Sequence, residues 1–161
     1  MDFRLPGVQR AFCFFAAMKP RVLQISYNLA ALPKAVHQLR QWADTASLYT
    51  LSGDLGAGKT TLIREWCRQL GVTEAVSSPT FSLVNEYRAG DGRVIYHMDF
   101  YRLRHASEAF EAGLEELLNE KDALIFAEWP EKAEALFPAS RITLRLEAPT
   151  EGERILFATQ Y

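Results

Sequence analysis

Apolar positions along this chain follow two rhythms. Leu32, Val36, Leu39 and Ala43 recur every three or four residues, which predicts a helix across residues 29–43. A second helical stripe, Leu62, Ile63, Trp66, Cys67 and Leu70, is closed by Gly71, a residue suited to a helix end. Between and beyond them lie short apolar runs at residues 22–27, 48–52 and 123–127, which read as strands. Residues 81–87 and 94–101 are rich in β-formers and flank Ala89-Gly90-Asp91-Gly92, a hairpin signal that predicts an antiparallel pair. Ile142, Leu144 and Leu146 alternate in a further strand, paired through residues 149–152 with a last one at 153–159. Ser107 is placed to cap a helix with the stripe Phe110, Leu114, Leu117 and Leu118, in which Gly113 is a weak or bent point. The sum is an α/β chain with a mixed sheet flanked by helices and edged by antiparallel hairpins.

Composition narrows the class. A length of 161 residues suits one domain, and 48% hydrophobic with 24% charged residues is ordinary globular usage. No apolar run approaches the roughly 18–20 residues that cross a bilayer. The formal charge of −2 carries no basic surplus, so the chain lacks the global signature of a free-standing nucleic-acid binder. Cys13 and Cys67 cannot build a disulfide framework; Cys67, on the helical stripe, reads as a buried free thiol in a reducing cytoplasm. Arg4 and Arg10 precede an apolar stretch at residues 11–18, but Lys19, Pro20 and Arg21 follow in place of a cleavage site. The expectation is that residues 1–17 are a disordered or wrongly assigned N-terminal extension, that translation starts at Met18, and that residues 18–161 form the single working domain.

Between the second strand and the second helix, Gly53-Asp54-Leu55-Gly56-Ala57-Gly58-Lys59-Thr60, followed by Thr61, completes the pattern G-x-x-x-x-G-K-[ST]. Glycines let successive backbone N–H groups curl toward phosphate oxygens, and the following helix adds the positive end of its dipole. Lys59 then serves the β- and γ-phosphates and Thr60 a Mg²⁺ ion. The architecture sharpens to a single-domain P-loop NTPase-like mixed sheet. Hydrolysis needs an acid on the metal side. Glu128, at the end of the buried run Leu124-Ile125-Phe126-Ala127, fits that place. Asp99 is a second candidate, because aspartate is disfavoured inside a strand and needs a partner: metal, a metal-bound water or Arg102. His97 shares its strand face and reads as a hydrogen-bonded structural residue; a metal set of His97, Asp99 and His105 draws only weak support from the spacing. Ser77-Ser78-Pro79-Thr80 is either a plain turn or a device that presents Thr80 to the metal or γ-phosphate. Trp129 is placed to cover a nucleotide or face a partner, whereas Trp66, Phe81, Phe100 and Phe126 read as core and residues 115–122 as a solvated face.

A GTPase is disfavoured, since Asn119-Glu120-Lys121-Asp122 only scrambles N-K-x-D and D-x-x-G is missing. A small-molecule kinase needs a lid and an acceptor pocket; Arg102 and Arg104 could imitate a lid pair, but only 101 residues follow Thr60 and two hairpins use up much of them. The ordered set G-D-L-G-A-G-K-T-T at residues 53–61, Ser78-Pro79-Thr80-Phe81, His97-x-Asp99-x-Tyr101-Arg102 and Glu128-Trp129 resembles the TsaE family over about residues 30–147. The resemblance implies a bacterial, cytoplasmic, Mg²⁺-dependent P-loop ATPase of tRNA threonylcarbamoyladenosine modification, at the adenosine next to the anticodon. It implies TsaB and TsaD as partners that carry out the carbamoyl transfer, tRNA met only through them, no membrane, and ATP hydrolysis that resets the complex. Carried onto this chain, residues 53–61 and Trp129 hold ATP, Thr60, Asp99 and Glu128 serve the metal, and Glu128, Asp99 and Thr80 serve catalysis. The long N-terminus departs from the family pattern, and Met98 and Phe100 fill variable places. Turnover is expected to be slow alone, with Arg102 the internal finger candidate. A small-molecule kinase and an ATP-gated binding module are the alternatives.

Overall fold

The computed structural model describes residues 19–79 and 82–161. The expectations for residues 1–17, Met18, Cys13, Thr80 and Phe81 therefore lie outside the described residues. In chain order the elements are β1 (Arg21–Tyr27), α1 (Leu32–Ala43), β2 (Leu48–Ser52), α2 (Lys59–Gln69), β3 (Val84–Arg88), β4 (Val94–Asp99), α3 (Ser107–Glu111), α4 (Leu114–Leu118), β5 (Leu124–Glu128), β6 (Ile142–Glu147) and β7 (Arg154–Gln160). The strands form one sheet in the order β1-β7-β6-β2-β5-β4-β3. Its middle, β6-β2-β5-β4, is parallel. Antiparallel pairs close both edges, β3 on β4 and β1-β7-β6. The mixed α/β sheet with antiparallel hairpins is the architecture that the pattern predicts.

Burial follows strand position. β5 is buried along its whole length and β2 nearly so, as expected of strands covered on both faces. β6 alternates buried and open positions, because Ile142, Leu144 and Leu146 point inward. One apolar cluster joins the sheet to α1 and α2, with Val36, Leu39, Leu62, Trp66 and Phe126 at its centre. Tyr49, Trp66 and Phe126 meet there with ring centroids 4.8, 5.2 and 5.5 Å apart. The second cluster, with Met98, Phe100, Ile125, Leu114 and Phe137, lies under α3 and α4.

Three elements differ from the pattern's prediction. α1 starts at Leu32, after a 3-10 turn at Leu29–Ala31 that Asn28 caps by accepting the Ala31 N–H at 2.9 Å. Leu29 is consequently left 73% exposed. The helix predicted after Ser107 is two short helices, broken where Gly113 takes a left-handed φ of 70°. Ser107 lies inside α3 instead of capping it; the Glu108 carboxylate accepts the free N–H groups of Arg104 and His105, at 3.2 and 3.1 Å, and Phe110 leaves the core stripe. β4 stops at Asp99, so Tyr101 sits in the turn beyond it. Among the described residues no helix is long and apolar enough to cross a membrane.

Candidate functional site

β2 ends at Ser52 and α2 begins at Lys59, so the phosphate-loop motif is the whole connection between a buried strand and a helix N-terminus. Its turn needs glycine at specific places. Gly53 has φ 137°, and a Cβ on it would land on the carbonyl oxygen of Leu146 in β6. Gly58 has φ 102° and leads into α2, where Leu62 N–H donates to its carbonyl at 2.9 Å. These conformations are strained for any residue with a Cβ. The loop thus packs against β6 and ends at the N-terminus of α2, the positive end of that helix's dipole.

Lys59 is 4% exposed. Its Nζ donates to the carbonyls of Gly53 at 2.6 Å and Asp54 at 2.9 Å, and sits 3.8 Å from the ring centre of Trp129. Burial pulls its pKa below the usual lysine value, against the raising influence of Glu128, Glu131, Asp99 and Asp54. Trp129 reaches this position through a left-handed backbone, φ 59°, while its N–H donates to Leu51 at 3.0 Å. A bulky residue held there costs about 1–3 kcal/mol, the kind of strain found at ligand clamps. The ring of Tyr101 leans on the same indole, centroids 4.9 Å apart.

Glu128 is the hub on the metal side, 2% exposed at the end of β5. Its Oε1 accepts the Thr60 hydroxyl at 2.7 Å and faces His97 Nε2 at 2.9 Å. His97 is fully buried, and its Nδ1 has no hydrogen-bond partner among the described residues. Asp99 is the register partner of Glu128 across β4 and β5. Its Oδ1 accepts the Tyr101 N–H at 3.0 Å, and its Oδ2 accepts the hydroxyl of Ser78. Thr60 spends its hydroxyl hydrogen on Glu128, which leaves its oxygen lone pairs available to a cation. A hydroxyl and two adjacent carboxylates are hard oxygen donors, few enough to leave room for water and phosphate, and they suit Mg²⁺.

A pocket of about 410 Å³ gathers Gly56, Gly58, Lys59, Thr60, Thr61, Asp99, Glu128 and Trp129 with Ser78, Tyr101 and Arg102. Leu55 also lines it from the loop tip, 77% exposed. Ala57 is buried under the loop, and its N–H closes the turn onto Asp54 at 3.1 Å. His105 does not join this group: it lies on an exposed turn before α3, and no three His, Cys, Asp or Glu side chains form a metal cluster among the described residues. Ser78 joins the pocket from the segment in which the sequence points to Thr80, and the spacing His97-x-Asp99-x-Tyr101 is the sequence signal for Tyr101.

Comparison with known proteins matches residues 26–156 to the family model "Threonylcarbamoyl adenosine biosynthesis protein TsaE". Two proteins named tRNA threonylcarbamoyladenosine biosynthesis protein TsaE are similar over most of their length. That of Haemophilus influenzae is 35% identical over 122 residues, 76% of each chain. That of Bacillus subtilis is 37% identical over 123 residues, 75% of each. A crystal structure of YdiB from Bacillus subtilis superposes with a TM-score of 0.65 at 28% identity, covering 88% of this chain and 87% of that one.

Proposed function

The chain belongs to the TsaE family, and from that premise we propose that it is the ATP-binding and ATP-hydrolysing component of tRNA threonylcarbamoyladenosine synthesis, at the adenosine next to the anticodon. It works in the cytoplasm with TsaB and TsaD and meets tRNA through them. The observation that carries the ATPase reading is the Glu128 carboxylate, buried at the end of β5 and hydrogen-bonded to the Thr60 hydroxyl of the phosphate loop. An acid so placed is what separates a nucleotide hydrolase from a simple phosphate-binding turn.

The residues divide the work by position. Backbone N–H groups of residues 53–61 cradle the phosphates, and Lys59 leaves the Gly53 and Asp54 carbonyls to pair with the β- and γ-phosphates. Thr60 and Glu128, with Asp99 alongside, hold Mg²⁺, which when bound offsets charge on the phosphate oxygens. Asp99, the less buried acid of the pair, orients the attacking water, with Thr80 as the alternative. Trp129 covers Lys59 and keeps bulk water from its amine.

The test is ATP turnover by the chain alone and with TsaB and TsaD. We expect slow turnover alone and a rise of at least about tenfold with both partners, a floor below the roughly 10³–10⁵ that a docked arginine finger adds to a P-loop site. Equal rates with and without them would refute partner-stimulated hydrolysis. If binding to the partners differs between ATP, ADP and a non-hydrolysable analogue while turnover does not change, the chain is an ATP-gated module instead.

A further inference from the structure

We infer that Tyr87, on the edge strand β3, is a positioning residue for hydrolysis: its hydroxyl holds the main chain of Ser77 so that Ser78 meets Asp99. The inference rests on the ATPase reading above and adds to it a residue outside the pocket, since no residue of β3 lines that space.

Residues 72–79 run from the end of α2 toward the pocket without helix or strand. Ser77 is exposed, a place where main-chain groups are ordinarily left to water. Both of its main-chain groups are instead taken up by side chains of β3. The Ser77 N–H donates to the Tyr87 hydroxyl oxygen at 3.1 Å, and the Tyr87 hydroxyl donates to the Ser77 carbonyl at 3.1 Å. Asn85 Nδ2 donates to the same carbonyl and to the Tyr87 oxygen, each at 3.1 Å. The Tyr87 hydroxyl thereby uses its one hydrogen and both lone pairs. A further tie comes from α2, where Arg64 Nε donates to the Val76 carbonyl at 3.1 Å.

Strand register brings this clamp to the acids. Asn85 and Tyr87 are two apart in β3 and share one face. Antiparallel pairing sets them opposite His97 and Ile95, on the face of β4 that also carries Asp99. The Tyr87 ring is buried in the apolar cluster with Ile95, so its hydroxyl is presented from a rigid base. One residue past Ser77, Ser78 donates its hydroxyl to Asp99 Oδ2, while the Tyr101 N–H donates to Oδ1 at 3.0 Å. Two donors on two oxygens set the plane of the carboxylate to which the reading above gives the attacking water. Each oxygen keeps a lone pair for that water. Without the clamp on Ser77, Ser78 loses its fixed origin, and the Asp99 plane is held at one oxygen only.

The test uses the full chain in excess over ATP and reads single-turnover hydrolysis beside equilibrium binding of MgATP. Tyr87→Phe keeps the buried ring and removes the hydroxyl's hydrogen bonds. Hydrolysis should fall about tenfold or more while ATP affinity stays within about twofold, since misplacing a reacting group by about 1 Å costs up to about 10²-fold in rate. Ser78→Ala should lower hydrolysis by a similar factor. The double variant separates positioning from a structural role: if Tyr87 acts through Ser78, adding Tyr87→Phe to Ser78→Ala costs less than about a further twofold, whereas independent losses multiply. Should Tyr87→Phe not fold, Asn85→Ala decides in its place. It removes one bond on the Ser77 carbonyl and should lower hydrolysis at least about threefold, the order of one net hydrogen bond, with ATP affinity again within about twofold. A deciding variant that hydrolyses at the unchanged chain's rate, that loses binding and hydrolysis equally, or whose loss multiplies with that of Ser78→Ala overturns the inference and leaves the ATPase reading standing. An unchanged chain that hydrolyses no ATP, alone or with TsaB and TsaD, removes that reading and the inference together.

Discussion

One carboxylate oxygen, Glu128 Oε1, accepts from Thr60 and faces His97, so removing its charge should separate binding from turnover. Glu128→Gln keeps the shape but leaves a neutral amide beside the phosphates. On the proposed reading Lys59 still reaches the phosphates, so ATP affinity should change less than about fivefold while turnover falls about 10²-fold or more, the usual cost of losing a preorganised catalytic group. Equilibrium binding and single-turnover hydrolysis on the same preparation decide it; an equal loss in both would make Glu128 a binding residue only. Lys59, Thr60, Asp99 and Glu128 were legible in the sequence because each carries its own signal: a loop motif, or an acid at a strand end. What they touch was not legible. The Glu128–His97 contact and the adjacency of Asp99 to Glu128 depend on the register of β4 against β5, which no local spacing encodes. Ser78 on Asp99 depends on where a loop folds back.

Elements were legible where periodicity was long, and less so where one residue overrides it. α1, α2 and the buried strands stand close to where the apolar pattern puts them. Gly113 and Asn28 changed the rest, one by a left-handed break and one by a side-chain cap, both decided by single-residue chemistry that a stripe of leucines conceals. The α1–α2 contact offers a test of charge at this scale. Glu65 in α2 accepts from Arg68 Nε and Nη2 at 2.7 and 2.8 Å and from Gln69 at 2.8 Å, and Gln69 in turn donates to Pro33 at 2.8 Å. Arg68 foremost, helped by Gln69 and opposed by burial, holds the Glu65 carboxyl below the usual glutamate range. A depressed folded-state pKa stabilises the fold above the ordinary value and loses that contribution as pH falls through the lowered one. Glu65→Gln should therefore melt about 3 °C lower at pH 7, roughly the effect of one lost charged hydrogen bond in a domain this size. The gap should shrink toward pH 3. A gap that stays constant from pH 3 to 8 would assign the loss to packing instead of charge.

At the scale of the whole molecule, the sheet order does what the sequence could only outline. β4, β5 and β2 lie side by side and parallel, so residues 53–60, Asp99 and Glu128, far apart in the chain, meet at the carboxyl ends of adjacent strands. Ligand crevices of open α/β sheets lie there. The charge balance adds a constraint that geometry does not. With 18 Lys and Arg against 20 Asp and Glu, the chain has no net positive charge with which to hold a phosphate backbone. Phosphate neutralisation supplies most non-specific affinity for nucleic acids, with dissociation constants of about 10⁻⁴–10⁻⁶ M for proteins equipped for it. A chain of net charge −2 should fall short of that range, as the proposal that tRNA is met through partners requires. Filter binding or gel shift of labelled tRNA at about 150 mM salt should show no retention by this chain alone up to about 10 µM, with retention on adding TsaB and TsaD. A complex of the chain alone with tRNA, weakening steeply between low and high salt, would reveal a basic surface that the overall balance conceals and would place tRNA directly on this protein.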